Sequence, residues 1–179
     1  MTSESQRDRF RIGVTGHRHM EDTAALRATI AAALERARAR APGGAPGWAI
    51  VSALAEGADR VVADIAMTSF GARLEAVLPL PPSDYERDFA TPASRAEFAS
   101  LLARAEQTAV MPPQGSRQDA YLAVGHYLVD HCDVLVAVWD GRPAAGKGGT
   151  ADVVARARAV GRALLWVRPG AVPELREER

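Results

Sequence analysis

The strongest chemical signal in the sequence is a glycine-rich segment between an apolar run and a helix-forming run. It reads Gly-Arg-Pro-Ala-Ala-Gly-Lys-Gly-Gly-Thr, and its candidate binding residues are Gly146, Lys147, Gly148, Gly149 and Thr150. Glycines leave backbone N–H groups open to close approach. The first turn of the following helix adds unpaired N–H donors and the positive end of its dipole. This combination predicts a phosphate-binding loop; the alternative is a flexible loop that ends in an ordinary threonine N-cap.

A second polar turn follows the first apolar run and contains Gly16, His17 and Arg18. Gly16 allows a tight turn, and both His17 and Arg18 can contact a phosphate or a carboxylate. Arginine does so as a planar, two-pronged donor. The alternative is a solvated loop with a surface ion pair.

Two further turns supply candidate polar groups. In the first, Gly57 gives a close helix start, and Glu56 or Asp59 could hydrogen-bond ribose hydroxyls, as acidic residues do in nucleotide sites. Both carboxylates would also suit a helix N-terminus without any ligand. In the second turn, Tyr85 follows a run of prolines and offers a face on which a base could stack. The alternative for Tyr85 is simple packing.

The sequence predicts no metal site. His126 and His131 are not spaced as a zinc pair, and the single cysteine, Cys132, excludes a disulfide within the chain and a site with several thiolate ligands. We therefore expect neither a catalytic metal nor a resident cofactor. No Ser-His-Asp or Cys-His arrangement stands out.

The elements that position these turns alternate between strand and helix patterns. The patterns predict strands over 10–15, 48–54, 74–78, 108–111, 133–139 and 163–167. They predict helices over 21–40, 56–70, 92–105, 117–131 and 150–160, and a short helix capped by Ser83. The strands are continuous apolar runs, which are typical of a parallel sheet buried on both faces. We therefore expect an α/β, Rossmann-like, open doubly wound, mainly parallel sheet with helices on both faces.

Composition limits the class of protein. The 179 residues are 47% apolar and 25% charged, which suits one domain over 10–168 and excludes general disorder. We expect a flexible N-terminus over 1–9 and a polar C-terminal tail over 169–179 that frays. The 22 basic and 22 acidic residues cancel, which argues against a dedicated DNA- or membrane-surface protein. Without a signal peptide or a long apolar run, the sequence predicts a soluble cytoplasmic protein.

Three of these segments together resemble a known group. The run Ile-Val-Ser-Ala-Leu-Ala-Glu-Gly-Ala-Asp at 50–59 is similar to the "IVSGLARGID" segment of the DprA (Smf) family of DNA-processing proteins, and 12–18 resembles its "VGSR" opening. The loop at 146–150 resembles the phosphate loop of the Lonely Guy proteins. Both belong to the SLOG superfamily of Rossmann-like proteins, and the resemblance covers roughly 10–168. It is closest to stand-alone bacterial SLOG proteins that sense nucleotide-derived signals.

The resemblance implies three functions. The first is a binding module for a nucleotide, cyclic nucleotide or ADP-ribose-like ligand, acting as a sensor. The second is a phosphoribohydrolase on nucleoside monophosphates, for which Asp152 and Glu56 are the candidate catalytic carboxylates. The Lonely Guy pattern P-G-G-x-G-T-x-x-E, however, places Val153 at its catalytic glutamate. The third, ranked last because of the zero net charge, is single-stranded DNA binding. We expect a small-molecule partner and no membrane association. The resemblance makes a homodimer plausible, although no feature of the composition establishes one.

Overall fold

The computed structural model describes residues 9–44, 47–143 and 146–178. Most of the expected flexible N-terminus, residues 1–8, lies outside these ranges. The elements, in chain order, are β1 (Arg11–Gly16), α1 (Ala24–Arg38), β2 (Ala49–Ser52), α2 (Ala58–Phe70), β3 (Arg73–Leu78), α3 (Pro82–Tyr85), α4 (Pro92–Ala103), β4 (Gln107–Val110), α5 (Arg117–His131), β5 (Val134–Val138), α6 (Thr150–Ala159), β6 (Ala163–Arg168) and β7 (Glu174–Glu178).

The seven strands form a single sheet in the order β4-β3-β2-β1-β5-β6-β7. All neighbouring pairs are parallel except β6 and β7. The chain steps outward from β1 to β4 and then returns to place β5 on the other side of β1, so the strand order reverses between β1 and β5. The predicted open, doubly wound, mainly parallel α/β sheet is confirmed.

Helices cover both faces of the sheet because its central strands are apolar on both sides. Ile12 and Val14 of β1 pack in one core with residues of α1 and α2, including Ile30 and Val62. On the opposite face, side chains of β5 pack against α6 and the end of α5, and those of β2 and β3 pack against α5. All five residues of β5 are buried, as expected for a strand covered on both sides.

Local capping explains several helix starts. The hydroxyls of Thr23, Thr91 and Ser116 accept hydrogen bonds from backbone N–H groups three residues later, at 3.0–3.1 Å. The predicted cap at Ser83 is wrong. The N-cap of α3 is Pro81, and Ser83 lies inside the helix, because Pro82 suits the first turn of a helix, where a missing N–H costs nothing.

The C-terminal tail differs from the expectation that it frays. Glu174–Glu178 forms β7, which pairs antiparallel with β6. Ion pairs join Arg158 to Glu178 at 2.8 Å and Arg40 to Glu177. Charged residues are common on edge strands, because they discourage pairing with another chain; polarity alone therefore did not exclude a strand.

Candidate functional site

A cavity of about 540 Å³ lies at the carboxyl ends of β1 and β5. This is the point of strand-order reversal, where open α/β sheets bind ligands. The cavity brings together ten of the predicted site residues, namely Gly16, His17, Arg18, Asp59, Tyr85, Gly146, Lys147, Gly148, Gly149 and Thr150. The other three candidates, Glu56, Gly57 and Asp152, do not line it.

One wall of the cavity is the start of α6. Gly149 is the N-cap, and among the described residues no side chain caps this helix. The backbone N–H groups of Asp152 and Val153 donate to the Gly149 carbonyl at 3.0 and 3.3 Å. Those of Thr150 and Ala151 precede any intrahelical acceptor, as in every helix. Both residues line the cavity, so the positive end of the α6 dipole lies at its wall. Thr150 is the first helical residue, not the cap.

The glycine-rich loop is held in place from both of its sides. The Asp152 carboxylate accepts the Gly148 N–H at 2.8 Å, and the Lys147 ammonium pairs with Asp119 on α5. This ion pair lowers the pKa of Asp119. Gly148 has φ of +83°, and a Cβ there would lie 2.8 Å from the backbone nitrogen of Leu122. The loop therefore packs directly on α5, and Asp152 positions the loop.

The helices behind this loop also approach closely. A Cβ on Gly125 of α5 would lie 2.6 Å from Cγ2 of Val153 on α6. A glycine in a helix interior is typical of such close packing, because its missing side chain offsets its low helix propensity. Val153, which stands where the Lonely Guy pattern has its glutamate, is thus a buried packing residue between the two helices.

The loop after β1 forms another wall of the cavity. The backbone N–H of His17 donates to the Val138 carbonyl at 3.0 Å, and the His17 carbonyl accepts the N–H of Ala58 at 2.9 Å. Gly57 has φ of +79°, and a Cβ there would lie 2.3 Å from the Arg18 carbonyl oxygen. Gly57 therefore lets the start of α2 support the loop that carries His17 and Arg18, from behind the cavity.

Arg18 is the cavity cation that is not committed to a carboxylate. Its guanidinium carbon lies 5.2 Å from the centroid of the Tyr121 ring, a cation–π distance. Among the described residues Arg18 forms no ion pair, whereas Lys147 pairs with Asp119 and the nearby Arg117 pairs with Asp88 at 2.9 Å. Burial lowers the pKa of Arg18, but the surrounding Tyr85, Tyr121 and Asp88 raise it by more. Arg18 stays charged and available.

His17 joins the ends of the two central strands. The backbone N–H of Asp140 donates to Nε2 of His17 at 3.0 Å, and the Asp140 carboxylate lies 3.1 Å from the same nitrogen. A hydrogen bond from the Arg142 N–H lowers the pKa of Asp140, and His17 lowers it further. The imidazole is thus fixed on the cavity wall.

The two acidic residues predicted for ribose binding separate in the structure. Asp59 lines the cavity, is only 5% exposed, and accepts the backbone N–H of Ala55 at 3.3 Å. Burial raises the pKa of Asp59 to about 7, against opposing effects of that hydrogen bond and of Arg18 and Arg60. Glu56 instead accepts a hydrogen bond from the Ser94 hydroxyl on α4. Of the two predicted carboxylates, Asp59 is therefore the one that lies in the cavity.

Tyr85 occupies the predicted position but not in the predicted manner. Its ring is 1% exposed and packs edge-on against Phe89 and Phe98, with centroid distances of 5.0 and 5.6 Å. Burial raises the pKa of its phenol. A base could stack on this ring only if the aromatic cluster opened, so the packing alternative describes Tyr85 better.

Several residues line the cavity without any site signal in the sequence, including Gln118, Tyr121, Val124, Leu128 and Trp139. Most of them lie on α5. Gly125 of that helix could have indicated their location, because a glycine inside a helix often marks a face that another element approaches closely. In the described ranges no group of three or more His, Cys, Asp or Glu side chains could hold a metal ion. No helix among those residues is both long and apolar enough to cross a membrane.

Comparison with known proteins adds little to this geometry. No protein-family model matches the chain, and no curated protein is significantly similar. Among solved structures, the molybdenum cofactor binding protein from the phototrophic bacterium Rippkaea orientalis is similar with a TM-score of 0.49 and 15% identity, over 90% of this chain and 78% of that one. A similarity this weak carries no argument about a ligand. The resemblance to the SLOG superfamily stays a prediction.

Proposed function

We propose that the cavity binds a small phosphate-bearing ligand, a nucleotide or nucleotide derivative, and that the protein acts as a sensor or regulatory binding module. The observation that carries this proposal is the placement of Arg18 and the first turn of α6 on the walls of one cavity. Free helix N–H groups, a favourable dipole and a forked cation are complementary to a phosphate.

The rest of the cavity suits the remainder of such a ligand. The phosphate would contact the loop at 146–150 and Arg18, and a ribose hydroxyl would reach Asp59. The apolar side chains of Val124, Leu128 and Trp139 line the same space, and they offer a surface for a base in place of the buried Tyr85 ring.

Calorimetry with mono-, di- and cyclic nucleotides and ADP-ribose tests this proposal. We expect Arg18→Gln to weaken binding of the best ligand roughly 10- to 100-fold, because a hydrogen bond to a charged group contributes about 1.5–3 kcal/mol. Arg104→Gln is the matched control, since it removes the same charge from a side chain outside the cavity whose own ion pair, with Asp64, is long at 3.8 Å. No binding by any ligand near millimolar concentration, or equal effects of the two variants, would contradict the proposal.

A second candidate is the phosphoribohydrolase, and one observation keeps it open. Attack at an anomeric carbon needs a carboxylate that activates water or stabilises positive charge. Glu56 accepts a hydrogen bond from Ser94 and Asp152 accepts one from Gly148. Neither carboxylate lines the cavity, whereas Asp59 does. Release of free adenine from AMP, lost in Asp59→Asn and kept in Asp152→Asn, would support this activity; no release by the wild type would exclude it for AMP. Steeply salt-dependent binding of single-stranded DNA would point to the DprA-like alternative.

A further inference from the structure

The cavity contains a cation and a buried carboxyl that do not neutralise each other. Asp59 and Arg18 both line it, yet within the described ranges neither belongs to an ion pair. Arg60, next to Asp59 in sequence, is directed elsewhere: its guanidinium donates to the Leu54 carbonyl at 3.1 Å and to Glu97 at 2.8 Å. Arg18 is therefore a cation of the cavity wall without a carboxylate partner among the described residues, and it acts on the Asp59 carboxyl together with Arg60.

Groups on four segments determine the charge that Asp59 experiences. They are Arg18 after β1, Arg60 on α2, Tyr85 on α3 and, through its contact with Arg18, Tyr121 on α5. Burial raises the pKa of Asp59 to about 7, and the two arginines hold it below the value that burial alone would give. At neutral pH both forms of the carboxyl are therefore populated in the empty cavity.

An anionic ligand changes this balance in a definite direction. When an anion contacts Arg18, it screens the positive charge that favours the ionised carboxylate and adds negative charge nearby. Both effects disfavour ionised Asp59. We propose that Asp59 is a ligand-linked proton acceptor, so that an anion binding at Arg18 is accompanied by net proton uptake at the Asp59 carboxylate, amounting to a fraction of a proton per site. This inference rests on the proposed function.

The linkage makes binding strongest in acid and progressively weaker as pH rises. The proton comes from the solvent, an O–H bond forms on Asp59, and no bond of the ligand breaks. If the bound anion raises the pKa of Asp59 by one unit from about 7, the dissociation constant increases ~5-fold between pH 6 and pH 8.

The experiment is calorimetric titration of the wild-type protein with sulfate, cyclic AMP and ADP-ribose at several pH values from 5.5 to 8.5. None of these probes has a phosphate or sulfate group that titrates in that range, unlike nucleoside monophosphates. Repeating the titrations in buffers of different ionisation enthalpy gives the number of protons taken up on binding. We expect uptake of a fraction of a proton near pH 7.5 and the ~5-fold weakening on going to pH 8.

Two variants identify the group responsible. Asp59→Asn should bind with an affinity that does not change with pH, whereas His17→Asn should keep the wild-type pH dependence. The second variant is the control for a histidine origin of that dependence, because histidine side chains in general titrate near neutral pH. If Asp59→Asn does not fold, a carboxyl ¹³C NMR titration of the wild type with and without the probe gives the same information. No binding at any pH overturns the proposed function. Binding without proton uptake, or pH dependence lost in His17→Asn, overturns this inference alone.

Discussion

Replacement of Gly57 by alanine should destabilise the protein, because Gly57 packs directly against the loop after β1 that carries Arg18. The backbone at Gly57 has φ of +79° and ψ of −123°, a region that only glycine adopts without strain, and the strain on another residue is ~1–3 kcal/mol. The new Cβ would lie 2.3 Å from the Arg18 carbonyl oxygen and 2.4 Å from that of His17. Both contacts are with backbone, so the loop must move, which adds ~1–3 kcal/mol.

Gly71→Ala is the matched control. Gly71 ends the same helix with φ of +65°, but an added Cβ would meet nothing within 4 Å in the part of the chain that the structure describes. The loss of folding stability in Gly71→Ala comes from the unfavourable positive φ alone and amounts to ~1 kcal/mol. In a protein of this size each kcal/mol shifts the melting temperature by ~2–4 °C. The two costs at Gly57 sum to ~4 kcal/mol at the middle of their ranges. We therefore expect a loss of roughly 8–16 °C for Gly57→Ala and of ~2–4 °C for Gly71→Ala in thermal unfolding followed by circular dichroism. Equal losses would refute the close packing inferred between α2 and the loop after β1.

Two further predictions concern the acidic residues of the site. Asp152→Ala removes the acceptor of the Gly148 N–H, so ligand binding measured by calorimetry should weaken ~5-fold, which corresponds to the loss of one hydrogen bond. The control variant Asp130→Ala breaks the exposed ion pair with Arg156 and should leave ligand affinity unchanged. Equal weakening in both variants would contradict a role for Asp152 in positioning the loop. Because the pKa of Asp59 is about 7 in the folded protein against 3.8 ordinarily, the folded state binds the extra proton between these values, and Asp59 lowers stability as pH rises from ~4 to ~7. In urea unfolding, Asp59→Asn should therefore lose less stability than the wild type over this range, by up to a few kcal/mol; parallel pH profiles would show that Asp59 titrates normally.

The sequence was sufficient for most of the sheet and for the location of the polar turns. The β5 segment is apolar at every position, and such a run fits only a strand covered on both faces. Once the strands are parallel, their carboxyl ends share one edge, so turns far apart in sequence become neighbours. That is why residues as distant in sequence as Gly16 and Thr150 both line one cavity.

Side-chain orientation was harder to predict, because it depends on partners from other segments. Glu56 and Asp59 are three residues apart, and nothing in their own segment distinguishes them. The hydroxyl of Ser94 on α4 donates a hydrogen bond to the Glu56 carboxylate. Asp59, buried at the start of α2, lines the cavity instead. Likewise, the aromatic pair Phe89 and Phe98 makes Tyr85 a packing residue. Each of these outcomes is decided by a tertiary contact that periodicity does not encode.

The glycines of the site show the same division between local and tertiary causes. A glycine-rich loop suggests close contact with a phosphate, yet the nearest obstacle to a side chain at Gly148 is the backbone of α5. A Cβ added at Gly16 would lie 2.4 Å from the Cβ of Ala58. These two glycines are required by the protein itself, whatever ligand it binds. A Cβ at Gly146 would meet nothing within 4 Å among the described residues, so packing does not require a glycine there. Support for phosphate binding therefore comes more from Arg18 and the first turn of α6 than from the glycine content of the loop.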